Sequence, residues 1–180
     1  HAMHGGPAEL QRLVREQLGE MVVQLLEASA SKSRSRRREE ADSREIVSDP
    51  PPHVGGYREM KRVVIVGNTV MHHLFCGVDV APLAAHPFEP KQSGRIVFSP
   101  RDLGWEIPDD AVVEFLPCLG GFVGSDILAG IVATGLHESR DLMALMDLGT
   151  NGEVVVGNRE RMLCTSTAAG PAFEGARIWM

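Results

Sequence analysis

The sequence predicts an α/β fold in which ligands bind at the ends of the strands. Predicted elements alternate along the chain as helix, strand, helix, strands, helix, strand–turn–strand, strand and helix. Such alternation is typical of layered α/β domains. Two stretches carry most of this prediction. Residues 62–66 are a β-branched run, which indicates a strand buried on both faces. Residues 145–156 contain an apolar run, a glycine-containing turn and an alternating run, which predict two strands joined by a sharp turn.

Composition limits the classes of function. The 180 residues, 43% hydrophobic with 19 glycines, suffice for one core or for two small lobes sharing a cleft. A formal net charge of −6 argues against nucleic acid as a partner. No apolar run reaches a membrane span and no signal peptide is visible, so we predict no membrane partner and a cytoplasmic location. The isolated cysteines Cys76, Cys118 and Cys164 lack cluster spacing, and we expect them to be buried small hydrophobes.

The amino-terminal part divides into a helix and an insertion. Residues 1–29 contain an apolar stripe at helical spacing, which predicts a helix that packs on the rest of the protein and comprises Leu10, Leu13, Val14, Leu18, Met21, Val22 and Leu25. Residues 30–57 carry a basic run, acids and three consecutive prolines, so we predict a flexible, solvated insertion.

A strand at 62–66 leads through Gly67, Asn68 and Thr69 into a predicted helix that extends through Phe75. A strand, a glycine-containing loop and a helix start can form the edge of a ligand site, whereas Asn68 can equally be a helix cap. His72 and the adjacent His73 point about 100° apart on a helix, which argues against a shared metal ion. We expect one to face the core and the other to face solvent or a hydrogen-bond partner.

Strands near 95–98 and at 112–116 precede a predicted helix over 122–136. Asp126 lies in the first turn of that helix, where the helix dipole favours a carboxylate. The functional alternative is that Asp126 faces a phosphate site and helps to orient a water molecule.

The turn at 147–153 is the strongest candidate for a ligand site. Gly149 and Gly152 allow a backbone with positive φ, and successive N–H groups in such a turn form an anion-binding nest. Thr150 and Asn151 can add side-chain donors. An acid beside a bound phosphate needs a cation between them, so Asp147 is a candidate Mg²⁺ partner. The alternative is an ordinary hairpin whose aspartate caps its own turn.

Small and hydroxyl residues follow in the next strand, and Pro171 suits the first position of a helix. A second set of N–H groups could therefore face the same ligand.

Four motifs in one order carry a family resemblance. They are Asp-Leu-Gly-Thr-Asn-Gly-Glu at 147–153, Ser-Thr-Ala-Ala-Gly-Pro-Ala-Phe-Glu-Gly-Ala at 166–176, Val-Gly-Asn-Thr-Val-Met-His-His-Leu at 66–74, and Gly-Gly-Phe-Val-Gly-Ser-Asp-Ile-Leu-Ala at 120–129. Together they resemble the reductive activators of corrinoid proteins, iron–sulfur ATPases that re-reduce inactive cobalt(II) corrinoid in methyl-transfer systems. The resemblance implies a ribonuclease H-like fold of the actin-like ATPase (ASKHA) superfamily, partial here and carried by residues 58–180.

The resemblance also implies roles. Asp147 would hold Mg²⁺, Asp126 and Glu153 would position water, and the phosphates of ATP would contact Gly67, Asn68, Thr69, Gly149, Thr150, Asn151, Gly152, Ser166, Thr167 and Gly170. The partner would be a corrinoid protein of a methyltransferase system, while a homodimer is left open. Proteins of this kind carry an amino-terminal ferredoxin-type domain, so a [2Fe-2S] cluster is expected there and not in this chain. We read the chain as an internal fragment, inactive alone.

Two other classes of function stay open from the sequence. A sugar or acetate kinase-like phosphotransferase could use the same turn, and transfer of the γ-phosphate to an acceptor would identify it. A non-catalytic docking module for a corrinoid protein would bind that partner without binding nucleotide.

Overall fold

A computed structural model describes residues 6–42, 60–149 and 151–168 of the chain. The elements are α1 Gly6–Asp42, β1 Arg62–Ile65, α2 Thr69–Cys76, a 3₁₀ turn Ala81–Ala84, β2 Ile96–Phe98, α3 Pro100–Leu103, β3 Val112–Phe115, α4 Ser125–Ala133, β4 Met143–Leu148, β5 Asn151–Gly157 and β6 Met162–Ala168. They form two three-stranded sheets with the orders β1-β3-β2 and β4-β5-β6. Within the described ranges, no helix is long and apolar enough to cross a membrane.

The chain divides into two compact units. One combines His1–Val64 with Val97–Glu114, and the other combines Ile65–Ile96 with Phe115–Met180. The mixture of helices and sheets confirms the predicted α/β class. The predicted helix after Pro171 and residues 43–57 of the predicted insertion lie outside the described residues.

In the first unit, α1 packs against Trp105. The Trp105 indole Nε1 donates to the carbonyl oxygen of Arg15 at 2.9 Å. A Cβ on Gly19 would lie 2.7 Å from Trp105 Cδ1, so only glycine lets the helix approach the ring this closely. Trp105 is therefore buried, with 6% of its surface exposed.

Two features of α1 differ from the prediction. The helix continues to Asp42, so residues 30–42 are helical where a loop was expected. Arg, Glu and Ala favour helix, and no proline occurs between Pro7, at the start of α1, and Pro50. The predicted apolar stripe is also divided between two environments. Its members on one side are half-buried, while four others are exposed, namely Leu10, Leu13, Met21 and Leu25.

The predicted strand at 62–66 forms as β1, but it is not buried on both faces. Val64 is 48% exposed, whereas Val113 of β3 is fully buried. The strand order explains the difference, because β3 lies between β1 and β2. Val112 N donates to Lys61 O, and Leu116 N donates to Ile65 O. The bonded residues are four positions further along both strands in the same direction, as in a parallel pair.

The central strand β3 also carries a buried acid. Glu114 has no solvent exposure and forms an ion pair with the guanidinium of Arg62 on β1. Strand order thus places the buried carboxylate of Glu114 beside the largely exposed guanidinium of Arg62.

The core of the second unit lies between α4 and the antiparallel β4-β5-β6 sheet. Its buried members are Val123, Ile127, Ile131, Leu136 and Val155, with Met143 and Leu145 packed against them. A Cβ on Gly130 would lie 3.1 Å from Leu145 Cδ2, so this glycine brings α4 close to β4. The helix is shorter than the predicted 122–136, because the preceding segment forms a glycine-rich loop.

Candidate functional site

The loop after β1 and the loop before α4 are joined in the second unit. Ser125 N donates to Gly67 O at 2.9 Å, and Gly67 N donates to Ser125 Oγ at 3.1 Å. The Thr69 hydroxyl donates to Gly120 O at 2.6 Å. A Cβ on Gly124 would lie 2.2 Å from Gly67 O, so the two backbones touch. Two of the four sequence motifs therefore form one structural junction, which we call the double-loop junction.

Asn68 acts as a helix cap in this junction. Its Oδ1 accepts from Met71 N at 2.9 Å, and the residue has the extended backbone typical of an N-cap. Of the two alternatives left open by the sequence, capping is the one observed. A ligand contact by Asn68 stays a prediction.

Asp126 also makes a local contact. Its Oδ1 accepts from Ile127 N at 2.9 Å in the first turn of α4, where the N-cap Gly124 offers no side chain. This is the helix-start role that the dipole favours. Its predicted role in orienting water is not tested by this contact.

Cys118 is a neighbour of the junction that sequence reasoning did not place there. Its side chain is buried, and burial raises the pKa of the thiol while a hydrogen bond with Thr69 acts in the opposite direction. The prediction of a buried cysteine is confirmed for Cys118 but is wrong for Cys164, which is exposed. The position of Cys118 immediately before the Gly120 loop was the available signal.

The two adjacent histidines of α2 are both fully buried, so neither faces solvent, and each lies against a hydrogen-bond partner, which is one of the expected alternatives. His72 Nε2 lies 3.0 Å from Gly94 O, and His73 Nδ1 lies 2.9 Å from Thr69 O. Because a carbonyl only accepts, each ring carries a proton on that nitrogen. The other ring nitrogen of each residue is buried without a hydrogen-bond partner. Burial lowers the pKa of His72, so its ring is held neutral.

Three of the candidate site residues, one for metal, one for catalysis and one for phosphate, form one row across the second sheet. Asp147 of β4 pairs with Glu153 of β5, and Glu153 pairs with Ser166 of β6. Directly paired residues of antiparallel strands project from the same face of a sheet. The three side chains therefore share a face, which is also the face of Leu145 and Val155 that packs on α4. We call them the carboxylate row.

The carboxylate row contains one resolved hydrogen bond. Ser166 Oγ donates to Glu153 Oε1 at 2.9 Å. Asp147 is exposed and Glu153 is half-buried. Like charges directly opposite one another destabilise a strand pair, and a cation between them would remove that cost. Carboxylate oxygens are ligands that suit Mg²⁺, so the donor chemistry of the row fits this ion.

The turn at 147–153 differs from the predicted nest. Gly149 does not have a positive φ, and its N–H donates to Asn151 O at 2.9 Å and so is already engaged. Gly152 is a buried residue of β5, paired with Leu148 and Thr167. The two glycines therefore do not make the left-handed turn that their spacing suggested, because the hairpin closes after Leu148 and strand pairing resumes at Gly152. Thr150, which could complete an anion site, lies outside the described residues.

The structure separates some of the predicted phosphate contacts. Thr167 follows Ser166 on β6 and therefore projects from the opposite face of the sheet. Gly170 lies outside the described residues. Among the residues that are described, no hydrogen bond joins the double-loop junction to the carboxylate row.

Comparison with known proteins gives the context of both sites. Residues 55–139 match the RACo middle region, and residues 141–180 match the C-terminal domain of RACo, the ASKHA domain. The chain is 38% identical over 123 residues to the corrinoid activation enzyme RamQ of Eubacterium limosum, covering 68% of this chain and 20% of that protein. It is 26% identical over 129 residues to the Co(II) methylated amine-specific corrinoid protein reductase of Methanosarcina barkeri, covering 66% of this chain and 24% of that protein.

The solved structure of a reductive activator for corrinoid,iron-sulfur protein superposes with a TM-score of 0.61 at 33% identity, covering 67% of this chain and 19% of that chain. The chain thus spans about a fifth to a quarter of the length of these relatives. The ASKHA-domain match and this superposition confirm the predicted actin-like α/β fold, present in part.

Proposed function

Because this chain belongs to the RACo family of corrinoid activators, we propose that it is part of an ATP-dependent reductive activator. In that protein, this region binds MgATP, and the whole protein restores cobalt(I) in a corrinoid protein of a methyl-transfer system. The names of two relatives, a corrinoid activation enzyme and a corrinoid protein reductase, support this partner class.

The carboxylate row is the observation that carries the proposal. Asp147 and Glu153 oppose each other at the end of a hairpin, an arrangement that favours a divalent cation. We assign the Mg²⁺ contact to Asp147, directly or through water. A bound Mg²⁺ would neutralise charge on the nucleotide phosphates. Glu153, held by Ser166, would accept a hydrogen bond from the attacking water.

The open flank of Gly149 gives the phosphates room to approach. Among the described residues beyond its immediate neighbours in the chain, a Cβ at this position would meet only Asn151 O, at 3.6 Å. Thr150 and the side chain of Asn151 would donate to phosphate there. The double-loop junction, with Gly67 and Asp126, would form the edge of the same nucleotide site.

The proposed energetic role of hydrolysis rests on the resemblance to reductive activators of corrinoid proteins. Electron transfer to cobalt(II) corrinoid needs a strong reductant, and we propose that ATP hydrolysis drives a conformational change that makes this transfer favourable. A [2Fe-2S] cluster in an amino-terminal domain would supply the electron. This chain's contribution is nucleotide binding and the movement linked to it.

The test is calorimetric titration of MgATP into the complete gene product and its Asp147→Asn variant. We expect the variant to bind MgATP about tenfold to a hundredfold more weakly, and to lose the dependence on Mg²⁺. Asp141→Asn is the matched control, since Asp141 lies just before β4 and outside the carboxylate row. Equal affinity in the Asp147 and Asp141 variants would exclude the assigned Mg²⁺ contact. Transfer of γ-phosphate to a small-molecule acceptor would instead identify a kinase.

A further inference from the structure

The hydroxyl of Ser166 already donates its hydrogen within the protein. A serine hydroxyl has one hydrogen to donate and two lone pairs to accept with. In the structure, that hydrogen is given to Glu153 Oε1 at 2.9 Å. Ser166 and Glu153 are directly paired residues of β6 and β5, so the two side chains lie opposite each other without any shift along the strands.

This hydrogen bond determines which contacts Ser166 can make with a ligand. Phosphate oxygens only accept hydrogen bonds, so a phosphate contact requires a donor. With its hydrogen on Glu153, Ser166 presents only lone pairs, which would repel a phosphate. The motif at 166–176 suggested that Ser166 lines the phosphate site, but its geometry favours a different role.

We infer that Ser166 is a positioning residue that fixes the Glu153 carboxylate, so that Glu153 Oε2 is presented to the attacking water. This inference rests on the proposed function, in which Glu153 orients that water. Ser166 acts through Glu153 and touches neither nucleotide nor metal.

The position of Glu153 explains why it needs such a partner. Glu153 lies on the central strand of its sheet, with Asp147 opposite on one side and Ser166 opposite on the other. Repulsion from Asp147 and the freedom of a long side chain both favour rotation of the carboxylate away from the row. A hydrogen bond to a charged acceptor is stronger than one between neutral groups, so a single hydroxyl can hold the carboxylate in place.

The experiment measures ATP hydrolysis and MgATP affinity in the complete gene product. In Ser166→Ala, we expect kcat to fall about tenfold to a hundredfold, as for other partners that orient a catalytic group, while the Kd for MgATP changes less than about twofold. Ser166→Thr keeps the hydroxyl and should restore most of kcat. Thr165→Ala is the matched control, because Thr165 lies on the same strand but projects from the other face.

A double variant separates action through Glu153 from direct action. In a Glu153→Gln background, Ser166→Ala should cause no further loss of kcat, since the carboxylate that it positions is already altered. Additive losses would overturn the inference, as would a weakened Kd with unchanged kcat, which would make Ser166 a phosphate contact. Failure of Ser166→Thr to recover kcat would also count against it.

Titration of the unmodified protein distinguishes this inference from the proposed function. If the unmodified protein does not bind MgATP, the proposed function fails and the role of Ser166 fails with it. If it binds and hydrolyses MgATP while the Ser166 variants behave as phosphate-contact variants, only the positioning role is wrong.

Discussion

Replacement of Gly124 by Ala tests whether the double-loop junction holds the second unit together. The added Cβ would lie 2.2 Å from Gly67 O and 2.4 Å from Asn68 Cα. Both are backbone atoms, which cannot rotate away as a side chain can. The loops must therefore separate, and the hydrogen bonds between Ser125 and Gly67 must lengthen or break.

The expected loss in the free energy of unfolding is the sum of the overpacking and of the weakened hydrogen bonds. Overpacking of a tight contact costs about 1–3 kcal/mol, and each weakened hydrogen bond costs about 0.5–1.5 kcal/mol. Gly124 has φ −94° and ψ −165°, an extended backbone that alanine adopts without strain. Alanine therefore recovers about 0.4–1 kcal/mol by restricting the unfolded chain. We expect a net loss of about 2–4 kcal/mol in the free energy of unfolding.

Urea unfolding of the variant and of a matched control measures this loss. Gly120→Ala changes the same loop, but its Cβ would meet no atom of the described residues within 4 Å, its chain neighbours aside. We expect the control to be within about 1 kcal/mol of the unmodified chain. If Gly124→Ala unfolds at the same urea concentration as Gly120→Ala, the two loops are not in contact and the junction is wrong.

Three further changes test other parts of the structure. Gly149→Ala should change the free energy of unfolding by less than about 1 kcal/mol, because its Cβ would meet, of the described residues beyond its chain neighbours, only Asn151 O at 3.6 Å. It should nevertheless weaken MgATP binding in calorimetry; unchanged affinity would argue against phosphate at this turn. Asn68→Ala should lower stability by about 1 kcal/mol through loss of the α2 cap, whereas Asn68→Asp should not, and equal thermal midpoints for both would exclude capping. Burial lowers the pKa of His72 below its usual 6.5, so on acidification the unfolded chain binds a proton that the folded chain does not. Stability should therefore be full above about pH 6.5 and fall as the pH decreases through that value, with a shallower fall in His72→Phe; identical pH profiles in urea unfolding would refute this.

Local sequence patterns predicted which segments form helices and strands better than they predicted how deeply those segments are buried. The strand at 112–116, the helix after Asn68 and the hairpin around Gly149 form as expected, because each depends on residues close together in the chain. Burial was less predictable. The run at 62–66 is more uniformly β-branched than β3, yet β3 is the buried strand, since strand order depends on contacts between distant residues.

The candidate site was predictable as a set of residues but not as an arrangement. Asp147, Glu153 and Ser166 were all singled out from sequence, each with a separate role. Only the register of three strands makes them one row, and register depends on where the turn closes. The same turn closure explains why Gly149 lacks the positive φ that its neighbourhood suggested.

The contact between Trp105 and Gly19 provides an optical signal for the docking of α1. The chain has two tryptophans, and Trp179 lies outside the described residues. Trp105 is shielded by the helix and hydrogen-bonded to Arg15, so its fluorescence should be blue-shifted while α1 is docked. A Trp179→Phe variant would leave Trp105 as the single tryptophan. Its emission during a urea titration would report the release of this helix separately from the loss of secondary structure recorded by circular dichroism.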